Sequence, residues 1–235
     1  MKTLVIGDIH GCHGELLDLI DKAGLAENDQ LIALGDLVDR GPDSASVLRF
    51  FKDQPRRRSL MGNHERKHLL AWKQGSSLSG SQLLVKEQFD AALYAEAIIY
   101  FETLPLFVEL PEAILVHGGL EPGVTLEQQQ AGVLAGSMSG EAYLAGKFPE
   151  PWYRLYNGDK PVVAGHHDYS KTGTPLVIND RVILIDTGCC FGHQLTGLML
   201  PDFKLVSVKS RANYWGLARQ SRRRPLNGSH NYPSR

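Results

Sequence analysis

The sequence predicts an α/β fold, and three observations carry that reading. Residues 3–61 run strand, helix, strand, helix, strand, the βαβ order of an α/β protein. Each strand is a short apolar or β-branched run. Each of them stops at a glycine followed by an aspartate or asparagine: Gly7-Asp8, Gly35-Asp36 and Gly62-Asn63. In open α/β sheets, sites form in the crevice beyond the C-terminal strand ends. The residues that end the strands are therefore also the ones delivered to a common edge.

The elements follow in order. Residues 3–6 are the first strand. Leu16, Leu17, Leu19, Ile20 and Ala23 then recur at helical spacing among Glu15, Asp18, Asp21 and Lys22, up to Gly24. Residues 30–34 are the second strand, 44–52 a helix with Ser44 as its cap, and 58–61 the third strand. The stretch 66–103 changes character, with a Gly/Ser-rich loop at 75–80 and a helical pattern over 82–97. It reads as helices leaving the sheet and returning. Residues 106–110 and 113–116 form a hairpin about Pro111-Glu112, and 126–147 is a second polar, helical region. Strands return at 162–164, 176–178 and 182–185, and a last hairpin pairs 195–200 with 203–208 across Pro201-Asp202. The expected organisation is one catalytic domain over residues 1–210 and a C-terminal extension over 211–235, with roughly the last fifteen residues flexible.

Composition bounds the function. At 235 residues the chain is long enough to bury a core, and its 43% apolar and 22% charged content is that of a soluble globular protein. Lys and Arg number 25 against 26 Asp and Glu, so no global field selects a nucleic acid or a membrane. No apolar run reaches the roughly 20 residues of a membrane span, and the first strand leads straight into a motif rather than a signal peptide. The cysteines are Cys12, Cys189 and Cys190; an odd number with an adjacent pair is a poor disulfide framework, which points to a reducing, cytoplasmic compartment. Cys12 lies close to His10 but reads as a small buried thiol.

Five segments carry the chemistry: Gly7-Asp8-Ile9-His10-Gly11, Gly35-Asp36-Leu37-Val38-Asp39-Arg40-Gly41, Gly62-Asn63-His64-Glu65, His117-Gly118-Gly119 and Gly165-His166. A single Gly-Asp is an ordinary turn. Five such segments in succession at strand ends, each bearing a ligand-type side chain, point to a convergent site.

In this order, Gly-Asp-x-His-Gly, Gly-Asp-x-x-Asp-Arg-Gly and Gly-Asn-His-Glu resemble the signature of the calcineurin-like metallophosphoesterases. The Asp-Arg-Gly and His-Gly-Gly forms resemble its phosphoprotein phosphatase branch. That branch includes serine/threonine phosphatases and the symmetrical bis(5'-nucleosyl)-tetraphosphatases. The resemblance spans residue 3 to about 208, and Ile185-Asp186-Thr187-Gly188 with Leu195-Thr196 is similar to the small bacterial members. It implies two facing mixed β-sheets flanked by helices, an α/β/β/α sandwich. It also implies two divalent metal ions, one held by Asp8, His10 and Asp36 and the other by Asp36, Asn63, His117 and His166.

That assignment suits the residue types. Asp8 and His10 are two apart, so an extended backbone would project both to one side. Asp36 has two oxygens and can bridge. Oxygen and nitrogen donors without thiolate suit Mn first, with Fe, Zn or Co as alternatives. Two ions about 3.5–4 Å apart can share a hydroxide for in-line attack on phosphorus. Arg40 offers a guanidinium fork for phosphate oxygens. His64, oriented by Asp39, is the expected general acid. Asn63 is also expected at the phosphate. Arg154, with Arg66 as an alternative, is the candidate second phosphate-binding arginine. Asp186 is expected near the metals without binding them. His68 reads as helical surface, His167 as pointing away from the metals, His13 as having no slot, and His193 as a rim residue or nothing.

The expected activity is hydrolysis of phosphate monoesters in the manner of a Ser/Thr/Tyr phosphoprotein phosphatase. The alternative is a dinucleoside polyphosphate hydrolase acting on diadenosine tetraphosphate. A third reading, a non-catalytic metal-binding module, fits poorly with the presence of Asp36, Asp39, Arg40 and His64 together. Phe148, Trp152, Tyr153 and Tyr156 are candidate platforms for an adenine ring. The partner is thus a phosphorylated protein or a nucleotide, and the oligomeric state is left open.

Overall fold

The structure, a computed structural model, describes residues 1–223. The first half runs β1 (Thr3–Ile6), α1 (His13–Ala23), β2 (Gln30–Ala33), α2 (Ser44–Lys52), β3 (Arg57–Ser59), α3 (Asn63–Gln74), α4 (Gln82–Gln88) and α5 (Ala91–Glu102). After the hairpin of β4 (Phe107–Glu109) and β5 (Ile114–Val116) come three helices, α6 (Ala131–Leu134), α7 (Met138–Lys147) and α8 (Trp152–Leu155). The chain closes with β6 (Val162–Ala164), β7 (Leu176–Ile178), β8 (Val182–Leu184), β9 (Gln194–Leu200), β10 (Lys204–Lys209) and α9 (Tyr214–Arg223).

These strands form two mixed five-stranded sheets, ordered β10-β9-β1-β2-β3 and β4-β5-β6-β8-β7. The period of two in the sequence builds the layers. Val5 and Ile32 point between the sheets and meet Leu115, Val163 and Ile183. Their neighbours Leu4, Ile6, Leu31 and Ala33 point outward under α1, α2 and α5. On the second sheet Val116, Ala164 and Leu184 turn outward under the α6–α8 region. Near-continuous apolar strands buried on both faces therefore produce the expected α/β/β/α sandwich. Each fully buried aliphatic side chain contributes about 1.5–3 kcal/mol.

Several local expectations are corrected. The cap of α2 is Asp43, whose Oδ1 accepts the Ser46 N–H at 2.9 Å; the Ser44 hydroxyl instead accepts the Asp39 N–H at 3.2 Å. The third strand covers Arg57–Ser59 rather than 58–61, because Leu60 and Met61 already lead into α3. The pattern over 82–97 is two helices, since Asp90 starts α5 by accepting the Leu93 N–H at 2.8 Å. The region 126–147 is likewise broken, with Gly136 in the left-handed region between α6 and α7. The expectation for the end of the chain falls largely on residues 224–235, outside the described residues.

Candidate metal centre

All five segments meet at the edge where the two sheets face each other. β1, β2 and β3 are parallel, so Asp8, Asp36 and Asn63 leave the first sheet at the same end. β5 and β6 are parallel in the second sheet, and His117 and His166 follow them. The chain turns sharply there. His10, Asp36, Asp39, Arg40 and His166 all have positive φ, a conformation costing roughly 1–3 kcal/mol at a non-glycine residue. His10 thus does not continue an extended backbone from Asp8, as the spacing predicted. The turn still brings its Nε2 to 4.0 Å from Asp8 Oδ2.

Asp36 is the hub. Its Oδ2 lies 3.4 Å from His10 Nε2, and its Oδ1 lies 3.4 Å from His117 Nε2. Burial pushes its carboxyl up, but His117, His64, His10 and Arg40 hold it well below the usual carboxylate range. Asp8 behaves oppositely: burial, then the charges of Asp186 and Asp36, raise it. Burial lowers His117 to about 3 against the opposing pull of the Asp36 carboxylate. Asn63 Oδ1 sits 3.1 Å from His117 Nε2 and 3.0 Å from His166 Nδ1.

The donor set fits a pair of cations. Asp8 Oδ2 is buried without a hydrogen-bond partner. The Asn63 oxygen faces groups that are themselves acceptors, and turning the amide over would be needed to satisfy them with hydrogen bonds alone. Acceptors aimed at one another without intervening donors are what a divalent ion requires. His10, Asp36 and His64 present ligand atoms within 4.8 Å of one another, as do Asp36, His117 and His166.

Close approach explains one glycine of the motifs. A Cβ at Gly165 would lie 2.4 Å from Asp8 Oδ1, the atom that accepts the His166 N–H at 2.9 Å. A side chain there would displace a carboxylate from the centre.

Around this set stands a proton-handling chain. His64 Nδ1 meets Asp39 Oδ2 at 2.5 Å, and its buried Nε2 is without a hydrogen-bond partner. Asp39 Oδ1 is 3.0 Å from His68 Nε2, and His68 Nδ1 is 3.0 Å from the Tyr94 hydroxyl. Burial raises the Asp39 carboxyl, but the hydrogen bonds of His64 and His68 outweigh it and hold the group well below its ordinary value. Glu65 locks the β2 turn, accepting N–H bonds from Asp36, Leu37, Val38 and Gly62.

A trough of about 270 Å³ opens over the centre, lined by Arg40, Asn63, Lys67, His166, Asp186 and Phe191 among others. Arg40 donates from Nη1 to His10 Nε2 at 2.7 Å, and its guanidinium lies 5.3 Å from the Phe191 ring centroid. Glu141 on α7 brings Oε1 to 2.5 Å from Nε2 of both His166 and His167. The His166 hydrogen bond, the larger influence, brings its carboxyl down to about 2.

The family profile described as Calcineurin-like phosphoesterase matches residues 1–197. The chain belongs to that family. It is 33% identical to the "Bis(5'-nucleosyl)-tetraphosphatase PrpE [asymmetrical]" of Bacillus subtilis, over 94% of this chain and 98% of the relative. A relative of the same name from Halalkalibacterium halodurans is 31% identical over 90% and 95%. Among solved structures, one named "putative diadenosine tetraphosphatase" superposes with a TM-score of 0.74 at 26% identity, covering 89% of this chain and 93% of its own. The relatives' name specifies asymmetrical cleavage, whereas the sequence motifs resembled the branch that holds the symmetrical enzymes.

As a calcineurin-like phosphoesterase the chain is a hydrolase, and the family implies a dinuclear divalent centre. The structure brings Asp8, His10, Asp36, Asp39, Arg40, Asn63, His64, His117 and His166 together. It does not bring Arg154, which is exposed on α8 and pairs with Glu150 at 3.6 Å. Arg66 is absent from the trough lining, and Lys67 occupies the place sought for a second cation. Its signal was helical spacing, four residues after Asn63 once α3 begins there. His68 is corrected from helical surface to a fully buried partner of Asp39. Its signal was the same, four residues after His64. Glu141 carried no sequence signal, since only the fold brings α7 back to His166 and His167. Asp186 is buried in the trough wall. His167 points toward Glu141, His13 packs edge-on to Phe50, and His193 lies against Gly173. All three cysteines are buried and free. The contact of Cys12 with Cys189, then burial, raises the Cys12 thiol, which disfavours a thiolate ligand.

Proposed function

We propose that this protein hydrolyses dinucleoside polyphosphates at a two-metal centre. The observation that carries the reading is the near end-to-end similarity to relatives named bis(5'-nucleosyl)-tetraphosphatase. It supports this activity better than the phosphoprotein phosphatase reading, and membership of a hydrolase family removes the ground for a non-catalytic module. Asp8, His10 and Asp36 would hold one ion; Asp36, Asn63, His117 and His166 would hold the other. Manganese suits these oxygen and nitrogen donors, with iron, zinc or cobalt as alternatives. When bound, two such ions neutralise phosphate charge and make water nucleophilic at neutral pH.

The chain's own residues do the rest. Arg40 and Lys67 line the trough with positive charge for the non-bridging oxygens of a polyphosphate. His64 turns its unpartnered Nε2 inward, and from there it gives a proton to the departing oxygen. Asp39 and His68 fix the ring that carries the proton. Three free thiols support a reducing, cytoplasmic setting. Among the described residues no helix is long and apolar enough to cross a membrane.

The test is a substrate panel on manganese-loaded protein. Diadenosine tetraphosphate should give a kcat/KM at least tenfold above that of phosphoserine, phosphothreonine and phosphotyrosine peptides. A preference for the peptides of that size would overturn the reading.

A further inference from the structure

On the far side of Glu141 and His167 from the metal centre lies a second concavity, of about 380 Å³. Those two side chains line both it and the trough, so the two spaces are separated by a wall one side chain thick. The lining changes from charged to aromatic across that wall, with Phe148, Trp152, Tyr153 and Tyr169 in the second space. The rings brace one another: Tyr153 meets Tyr169 edge-on at 5.0 Å, and His167 meets Tyr169 at 5.6 Å. Trp152 is buried and packs so closely over Gly119 that a Cβ there would come within 2.5 Å of its Nε1. The cleft floor is therefore tied directly to the His117 motif. Phosphoryl transfer has no use for these rings, and their size and flatness are those of a base platform.

We propose that this cleft is a nucleoside subsite that takes one purine ring of a dinucleoside polyphosphate. The phosphate chain then passes Glu141 and His167 into the trough. This rests on the substrate reading above. Phe148 and Tyr153 supply stacking surface, and the exposed Glu150 carboxylate at the rim is an acceptor for an exocyclic amine. The thin wall has a consequence for where the chain is cut. A base seated beside the centre places the phosphorus nearest its own ribose over the metal-ligating set. The water oxygen bonds to that phosphorus, the bond from it to the bridging oxygen breaks, and the bridging oxygen leaves with the rest of the chain. Diadenosine tetraphosphate then gives AMP and ATP in equal amounts. Of the four candidate rings read from sequence, Tyr156 falls outside, lining a separate hollow near Glu121.

Two measurements decide it. In the first, Phe148→Ala, Tyr153→Ala and Tyr153→Phe are compared on diadenosine tetraphosphate and on p-nitrophenyl phosphate, which has no nucleoside. The alanine variants should raise KM for the dinucleotide roughly 5- to 100-fold, the range of a lost base stack, and leave p-nitrophenyl phosphate within twofold. Tyr153→Phe should match wild type. Equal effects on both substrates, no effect on the dinucleotide, or ADP as sole product would overturn the proposal. In the second, adenosine is titrated into EDTA-treated protein and read by tryptophan fluorescence. Saturable binding weakened at least fivefold in Tyr153→Ala supports the cleft, and absent or unchanged binding overturns it. If wild type cleaves p-nitrophenyl phosphate but not the dinucleotide, the substrate reading falls, and the adenosine titration still decides the cleft.

Discussion

Asp36 turns one oxygen toward His10 and the other toward His117, so one carboxylate serves both halves of the candidate centre. Asp36→Asn should lose both metals by elemental analysis and lose hydrolysis with them; two metals with full turnover would refute the bridging role. His64 lies beside that scaffold, its Nε2 3.9 Å from Asp36 Oδ2 and its Nδ1 held by Asp39. His64→Asn should keep both metals yet slow turnover about 10²–10⁴-fold, most for poor leaving groups. An equal loss across leaving groups of widely different pKa would argue against proton donation. Asp39 gives a pH signature. Its folded value lies below the ordinary 3.8, so its stabilisation is complete above that pH and is lost as pH falls through the folded value. In EDTA-treated protein the Tm gap between wild type and Asp39→Asn should therefore narrow below pH 3.8; a widening gap contradicts it. Asp8, Asp36, Asn63 and His64 were legible because a glycine marks each strand end. His68, Lys67 and Glu141 were not, because helix register and tertiary return, rather than a local motif, bring them in.

At the scale of elements, the strand ends are rigid where the helices are tolerant. Gly165 follows β6, and a Cβ there would come within 2.4 Å of Asp8 Oδ1. Gly146, in α7, has open space where a Cβ would go. Gly165→Ala should abolish metal binding while circular dichroism keeps its native shape. Gly146→Ala should raise stability by up to about 1 kcal/mol, the helix preference for alanine, with turnover unchanged. The opposite ranking would mean that the centre tolerates displacement of Asp8. The central strands β1, β2, β5, β6 and β8 were readable because both their faces are buried and their apolar runs are all but unbroken. The helical excursions were read too long, because Asp90 and Gly136 break them through capping and a left-handed turn that apolar spacing does not register.

At the scale of the molecule, the family match ends at residue 197, yet the chain continues to pack beyond it. The Arg211 N–H and the Tyr214 hydroxyl both donate to Oε1 of Glu15, a buried carboxylate at the start of α1, and Arg222 on α9 reaches Glu87. α1 follows the His10 turn directly, so the C-terminal extension braces the layer behind the metal centre; it lends no residue to the trough lining, although α9 packs against the turn that carries Phe191. Cutting after Arg223 removes none of these contacts and should leave both Tm and hydrolysis of p-nitrophenyl phosphate at wild-type values. Cutting before Tyr214 removes one of the two donors to Glu15. That costs about 1–3 kcal/mol for a buried acceptor left short, or several degrees in Tm for a chain of this size. Turnover per folded molecule should not change, because every residue that lines the trough is retained. A folded protein ending at residue 213 that cannot cleave the ester would place part of the active site in the extension, and the brace would then be the wrong account of it.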